Sequence, residues 1–373
     1  MLTDLRLLAD DGSVRNAGVL LLGSEEVLRS VVPAYGYGYQ YRPSPGSEAT
    51  SRFREVRPLL AGVEAVVEAV DRLRQLHPLS MAAGVQLQLS DYPRDAVREL
   101  VVNAFLHRSY QTNGAVEIEH SPERLVVVSP GGLVAGVTPA NILTVAPTPR
   151  NRLLAEVVAT LQIAERTGQG VDRVYREMLR VGNEPPVFDD SGTLARAVLP
   201  GGIGNDSFVR FLSDLPDGLS RDVDVLLALT LLRRHSSIDA PRLSETVQRS
   251  PTETQRDVLE RLADEHRLIE PTRRTVRRPF PTYRLRSEVL AAMSTAVAYR
   301  RRGVDDIDGK IIAHIREYGS VSNRTVQRTF DRHVFAARDL IADLRSRGIL
   351  EKIGEARGGP NVRYGPGPRF PKP

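Results

Sequence analysis

Cysteine is absent from the 373 residues, which excludes disulfides and thiolate metal sites. The seven histidines (His77, His107, His120, His235, His266, His314, His333) never pair at ligand spacing, which argues against a structural zinc. No run approaches 18 apolar residues, and the first residues lack the basic-then-apolar order of a secretory signal. The expectation is a soluble cytoplasmic protein with no membrane partner. Also missing is any Gly-x-x-x-x-Gly-Lys-Ser/Thr phosphate loop, which disfavours a P-loop motor. What is present suffices for a core: the apolar share is 41%, and the length suits about two to four domains.

Charge is unevenly placed within the net +5. Residues 216–373 hold 30 Lys+Arg against 21 Asp+Glu, leaving 21 against 25 for residues 1–215. Of the C-terminal basic residues, 27 are Arg and three are Lys. The planar guanidinium fork matches phosphate geometry, so this half is expected to meet double-stranded DNA, although an Arg-for-Lys bias also follows genomic base composition.

Along the chain, Asn16–Gly23 reads as a buried strand ending at glycine. Residues 33–57, rich in Tyr, Gly, Pro, Ser and Arg, read as a loose hairpin or loop. Apolar residues at helical spacing predict a helix over 58–76 and another over 93–107, with Asp91 as its N-cap and Pro93 in the first turn. Residues 115–119 and 124–128 alternate as an antiparallel hairpin. The segment 129–150 has no periodicity and is long for a plain connection, as lids and binding loops are. Helices at 151–164 and 171–181 and a strand near 195–199 follow. Beyond a boundary at 200–220, a pattern of three helices and a hairpin occurs twice: helices at 222–234, 241–248 and 252–266 before 270–286, then helices at 305–317, 322–329 and 332–347 before 350–365. That is the layout of a winged helix-turn-helix.

Glu99 and Asn103 stand four residues apart on the second helix, so both project from one face. An Asn carbonyl can ligate Mg²⁺, which takes one or two protein oxygens and fills its shell with water and phosphate. A neighbouring Glu can accept a proton from water. Alone, such a pair is also what a solvated helix face shows. Two glycine clusters, Ser129-Pro130-Gly131-Gly132 after a strand and Thr167-Gly168-Gln169-Gly170 before a helix, let backbone approach a phosphate. Each alone is more often a turn or a helix cap. Their order around the Glu/Asn helix points to one site.

The run Tyr92–Tyr110 resembles the N-box of a bacterial branch of the GHKL superfamily, the ATPases of gyrase, heat-shock chaperones, histidine kinases and mismatch repair. This branch carries helicase or transcriptional-regulator labels and usually follows an AlbA/Schlafen-type domain. Val128–Leu133 resembles its second motif, and Arg150-Asn151 through Glu165–Val171 its third; the similarity spans about 10–200. The resemblance implies an α/β (α+β) two-layer Bergerat-type domain that binds ATP and Mg²⁺. Asn103 would bind the metal and Glu99 would polarise water as the catalytic group. Ser129 stands where the superfamily has an Asp that accepts from adenine. Gly131 and Gly132 follow it, Gly168 and Gly170 would approach phosphates, and Arg108 and Arg150 are phosphate candidates. Met1–Gly23 resembles only the closing strand and junction of the AlbA/Schlafen-type module.

The expected domains are a partial junction over 1–57, the ATP-binding domain over 58–205, and two mostly helical winged helix-turn-helix domains over 216–290 and 303–367. Thr272–Arg302 holds nine Arg against one acid, Glu288, where a wing and its exit strand belong. Candidate DNA contacts are Arg273, Arg274, Arg277 and Arg278 in the first unit, and Arg324, Arg332, Arg338 and Arg357 in the second. The expected function is a homodimeric, ATP-controlled DNA-binding regulator. Alternatives are a DNA-directed ATPase or remodeller, a phage-defence component and a histidine-kinase-like phosphotransferase, for which His77-Pro78 is a poor phosphoacceptor.

Overall fold

The computed structural model describes residues 2–44, 46–81, 84, 86–161, 163, 170–202, 204–272, 275–293, 296–297, 305–329, 334–354 and 362–371. The chain forms two compact units, Met1–Ala296 and Val297–Pro373.

The first unit opens with α1 (Asn16–Leu22) and α2 (Glu25–Val31), the latter capped by Ser24. The expected strand over Asn16–Gly23 is therefore a helix, Asn16–Leu22, with Gly23 as its extended cap. Short apolar runs carry no decisive period, and the leucines of this one are good helix formers that bury against the main core. Next come β1 (Tyr37–Tyr41) and β2 (Ser51–Glu55), which pair antiparallel, so of the two forms expected for residues 33–57 the hairpin is the one found. Tyr37 and Tyr39 point into the core, while Gly38 and Gln40 alternate to the other face.

α3 (Leu59–Leu73), the hairpin β3 (Leu76–Ser80) and β4 (Gln86–Ser90), and α4 (Arg94–His107) follow. Asp91 does not cap α4. It is buried, accepting from the Gln75 and Tyr92 amides at 3.1 and 2.9 Å, and Pro93 takes the cap position. Then come β5 (Val116–His120), β6 (Arg124–Pro130), α5 (Arg152–Thr160), α6 (Gly170–Arg180), β7 (Val187–Asp190) and β8 (Leu194–Pro200).

One six-stranded sheet runs β2-β1-β5-β6-β8-β7, antiparallel except for the parallel pair β1 and β5. The sheet therefore begins before residue 58. α3 and α4 contribute Val63, Val66, Val70, Val97, Val101 and Phe105 to a core shared with Val116, Ile118, Leu125, Val127 and Leu199 of the strands. Helices on one face of a mixed sheet make a two-layer α/β arrangement.

Helices dominate the rest of this unit: α7 (Asp206–Ser213), α8 (Asp217–Ser220), α9 (Val223–Arg234), α10 (Ala240–Val247) and α11 (Pro251–Glu253). α11 continues as a π-helical stretch, Thr254–Glu265, before the antiparallel pair β9 (Ile269–Pro271) and β10 (Tyr283–Leu285) and then α12 (Ser287–Met293). Side-chain caps from Asn205, Asp222, Asp239 and Ser250 start α7, α9, α10 and α11, each satisfying an otherwise orphaned amide. Leu226, Leu229, Leu243, Val258, Leu262 and Ile269 are buried in this part.

The second unit contains α13 (Asp305–Tyr318), β11 (Val321–Ser322), α14 (Asn323–Thr329), α15 (Val334–Ser346), β12 (Leu350–Ile353) and β13 (Arg363–Pro366). Its sheet order is β11-β13-β12, and Ile311, Ile315, Val326, Ile341 and Leu344 form its core. Ser322 accepts from the Thr325 amide at 3.1 Å and so caps the start of α14.

Candidate functional site

α4 lays its apolar side on the sheet and turns Glu99 and Asn103 toward α6. Glu99 is only 5% exposed, which a solvated helix face does not produce. The Asn103 amide nitrogen lies 3.4 Å from Glu99 Oε1 as a donor, which leaves the amide oxygen as an acceptor. Arg173 Nη1, one turn into α6, lies 3.4 Å from Glu99 Oε2. Gly170 opens α6 against this pair: a Cβ there would fall 2.2 Å from Glu99 Oε1 and 3.3 Å from Asn103 Nδ2. Glycine is what allows the helix start to come so close.

At the end of β6, buried Ser129 donates its hydroxyl to the Ala104 carbonyl at 2.9 Å, tying strand to helix. The hydroxyl oxygen's acceptor capacity is still available. Gly131 then takes φ +85, and a side chain there would strike Ser109 at 2.8 Å. Gly132 abuts Asp190 and Gly192 equally closely.

These groups surround a cavity of about 350 Å³, within the usual range for small-molecule sites. Glu99, Asn103, Ser129, Gly131, Gly132 and Gly170 all line it. The roof comes from the irregular segment after Gly132, through Val137, Ile142, Val145 and Pro147. His107 adds an imidazole to the wall, and burial, reinforced by the Arg150 cation, holds its pKa below the ordinary histidine range. It is thus the neutral ring that faces the cavity near pH 7.

Arg150 is not among the lining residues. Its Nε donates to the His107 carbonyl at 2.8 Å and its Nη2 to the Gly132 carbonyl, so it clamps the wall from behind. Asn151 adds bonds to the Leu106 and Arg108 carbonyls at 2.8 and 2.9 Å, which satisfies the end of α4.

Arg108 lies away from the cavity, fully buried. Its guanidinium donates to the carbonyls of Ala34 and Gly114 at 2.8 Å and of Gly36 at 3.4 Å, and sits 4.8 Å from the Tyr110 ring centre. The expected phosphate contact is a structural cation instead, because its fork is consumed by backbone. Gly168 lies outside the described residues.

Sequence reasoning missed Arg173 and Asn151. Arg173 was findable: three positions after Gly170 on a helix, it shares the glycine's face.

Of the DNA candidates, Arg277 and Arg278 are exposed in the link between β9 and β10 of the first unit. Arg324 on α14 and Arg338 on α15 are exposed in the second. Arg273, Arg274, Arg332 and Arg357 lie outside the described residues. Among the described residues, no group of three or more His, Asp or Glu could hold a metal, so any Mg²⁺ here would take most of its oxygens from a ligand and water. No helix among them is long and apolar enough to cross a membrane.

Comparison with known proteins adds two likenesses, one in sequence and one in fold. Residues 113–199 match a family profile described as "Putative ATP-dependent DNA helicase recG C-terminal". The match covers β5 through β8, including Ser129, Gly131 and Gly170, and begins after α4. The central part of the chain is an ATPase-like domain. A solved structure similar in fold is that of the DIP2311 protein from Corynebacterium diphtheriae, with a TM-score of 0.67 at 22% identity. The similarity covers 79% of this chain and 58% of that one, so this chain spans little more than half the length of its structural relative. A search of curated proteins found no match.

Proposed function

We propose that this protein binds Mg-ATP in the cavity between α4, β6 and α6 and uses it to control DNA binding by two winged helix-turn-helix elements. One observation carries the nucleotide reading: an acid and an amide on one helix, both turned toward a cavity that three lining glycines keep open to close backbone approach. The residues fit the ligand. The Asn103 oxygen is an acceptor of the kind Mg²⁺ takes, and bound Mg²⁺ would neutralise charge on phosphate oxygens. The amides at the start of α6, an 11-residue helix, favour an anion. Ser129 offers lone pairs to a base amino group, and apolar walls suit a nucleobase. Glu99 would orient a water, with Arg173 holding its carboxylate in place.

DNA binding is supported by the helix-helix-helix-hairpin order in both C-terminal segments and by the exposed Arg277, Arg278, Arg324 and Arg338. Their guanidinium groups suit phosphate contacts. In this reading nucleotide closes the roof over the cavity in a homodimer and alters the presentation of these arginines. A DNA-directed ATPase is the second reading, favoured by the helicase wording of the matched family.

Glu99→Gln separates binding from turnover. The variant is expected to keep Mg-ATP affinity within about threefold and to lose at least about a hundredfold in single-turnover hydrolysis, the scale of a lost general base. Equal turnover in both proteins would remove Glu99 from that role.

A further inference from the structure

Gln248 ends α10 in the left-handed region, at φ 58 and ψ 40. Helix ends of this shape usually carry glycine or asparagine, because a longer side chain strains the backbone there. A strained residue points to a job for its side chain. Here that side chain reaches more than 100 residues back, to the roof of the cavity. The Leu143 amide donates to Gln248 Oε1 at 2.8 Å, and Gln248 Nε2 donates to the Pro139 carbonyl at 2.9 Å. The Thr144 hydroxyl donates to the Gln248 carbonyl at 3.1 Å.

The roof is itself a bonded body. The Asn141 side chain accepts from the Thr138 amide at 2.7 Å and donates to the Gly136 carbonyl at 2.9 Å. The Asn141 carbonyl takes the Thr144 and Val145 amides, each at 2.9 Å. Within this one turn, Ile142 and Val145 line the cavity while Leu143 and Thr144 meet Gln248.

The geometry points to Gln248 as a latch that fastens the cavity roof to the α10–α11 turn, so that the roof and this turn move together. Whatever fills the cavity pushes or pulls on the turn, and whatever seats on the turn loads the roof. Such coupling is reciprocal by thermodynamic necessity. The latch requires no particular ligand in the cavity, so it stands or falls apart from the nucleotide reading. Where that reading holds, it gains a consequence: the turn leads directly into Ser250 and Pro251, the start of α11, which would be the third helix of the first winged element. That end of a helix-turn-helix faces the DNA groove. A docked roof and a duplex therefore compete for one turn.

Hydrogen exchange on the full-length protein without ligand tests the latch. Gln248→Gly keeps the left-handed backbone while deleting both side-chain bonds. Amides in 139–145 should then exchange about tenfold faster or more, as expected for losing two hydrogen bonds. Thr144→Val, which removes the third bond together with the hydroxyl's longer 3.3 Å contact to the Asn141 carbonyl, should give a smaller increase in the same peptide. In the reverse direction, Ile142→Ala on the cavity face should quicken exchange across 248–254. Unchanged exchange at 139–145 in Gln248→Gly would overturn the latch. So would a loosened roof that leaves 248–254 unaffected in Ile142→Ala, because Gln248 would then be a helix cap alone.

Discussion

At the scale of single residues, polar groups in this chain divide by what surrounds them. Glu99 and Asn103 are shielded by α6 yet line the cavity, the carboxylate held by Asn103 and Arg173 and the Asn103 amide oxygen left as an acceptor. Arg108 is fully buried, and its donors are spent on the carbonyls of Ala34, Gly36 and Gly114. Burial pushes its pKa down, but carbonyl dipoles and the Tyr110 face keep a cation tolerable. Arg108→Met should therefore cost about 3 kcal/mol, since three hydrogen bonds from one buried cation are lost at once. Chemical denaturation would show it as a lower midpoint. A change below about 0.5 kcal/mol would mean that the carbonyls find other partners.

The elements show how much was legible beforehand. α3, α4, β5, β6, α6 and the helices α9, α10, α13, α14 and α15 follow from the spacing of apolar residues, because that signal is local. The candidate site was legible for the same reason: Glu99, Asn103, Ser129, Gly131, Gly132 and Gly170 sit at ends or faces of such elements. What was not legible depends on distant partners. Asn16–Leu22 becomes a helix because its apolar run packs on a core made by later residues. Residues 37–55 become strands because β1 pairs in parallel with β5, almost 80 residues on, and no local pattern announces that partner. Asp91 serves buried amides rather than a helix start, and Arg108 faces loops that only tertiary structure brings together. The Gln248 bonds belong to this group as well.

At the scale of the whole molecule, the excess of arginine in the C-terminal half becomes specific only after ion pairs are removed. Arg249, Arg261, Arg284 and Arg347 are spent on Asp224, Asp222, Glu270 and Asp308. Arg277, Arg278, Arg324 and Arg338 have no such carboxylate partner among the described residues. If Arg277 and Arg278 each neutralise a phosphate, Arg277→Ala/Arg278→Ala should reduce the slope of log affinity against log salt by about 1.8. Fluorescence anisotropy with a duplex at several salt concentrations would measure it. An unchanged slope would place the duplex on other arginines.

Control of DNA binding by nucleotide requires first that the cavity accept a metal-bound triphosphate. Isothermal titration of Mg-ATP into wild type and Asn103→Ala tests that directly, with thermal melting as the check on folding. The prediction is saturable binding to wild type and a loss of at least about a hundredfold in the variant, equivalent to about 2.7 kcal/mol, with melting little changed. Equal affinity in the two proteins, or no binding by wild type, would contradict it.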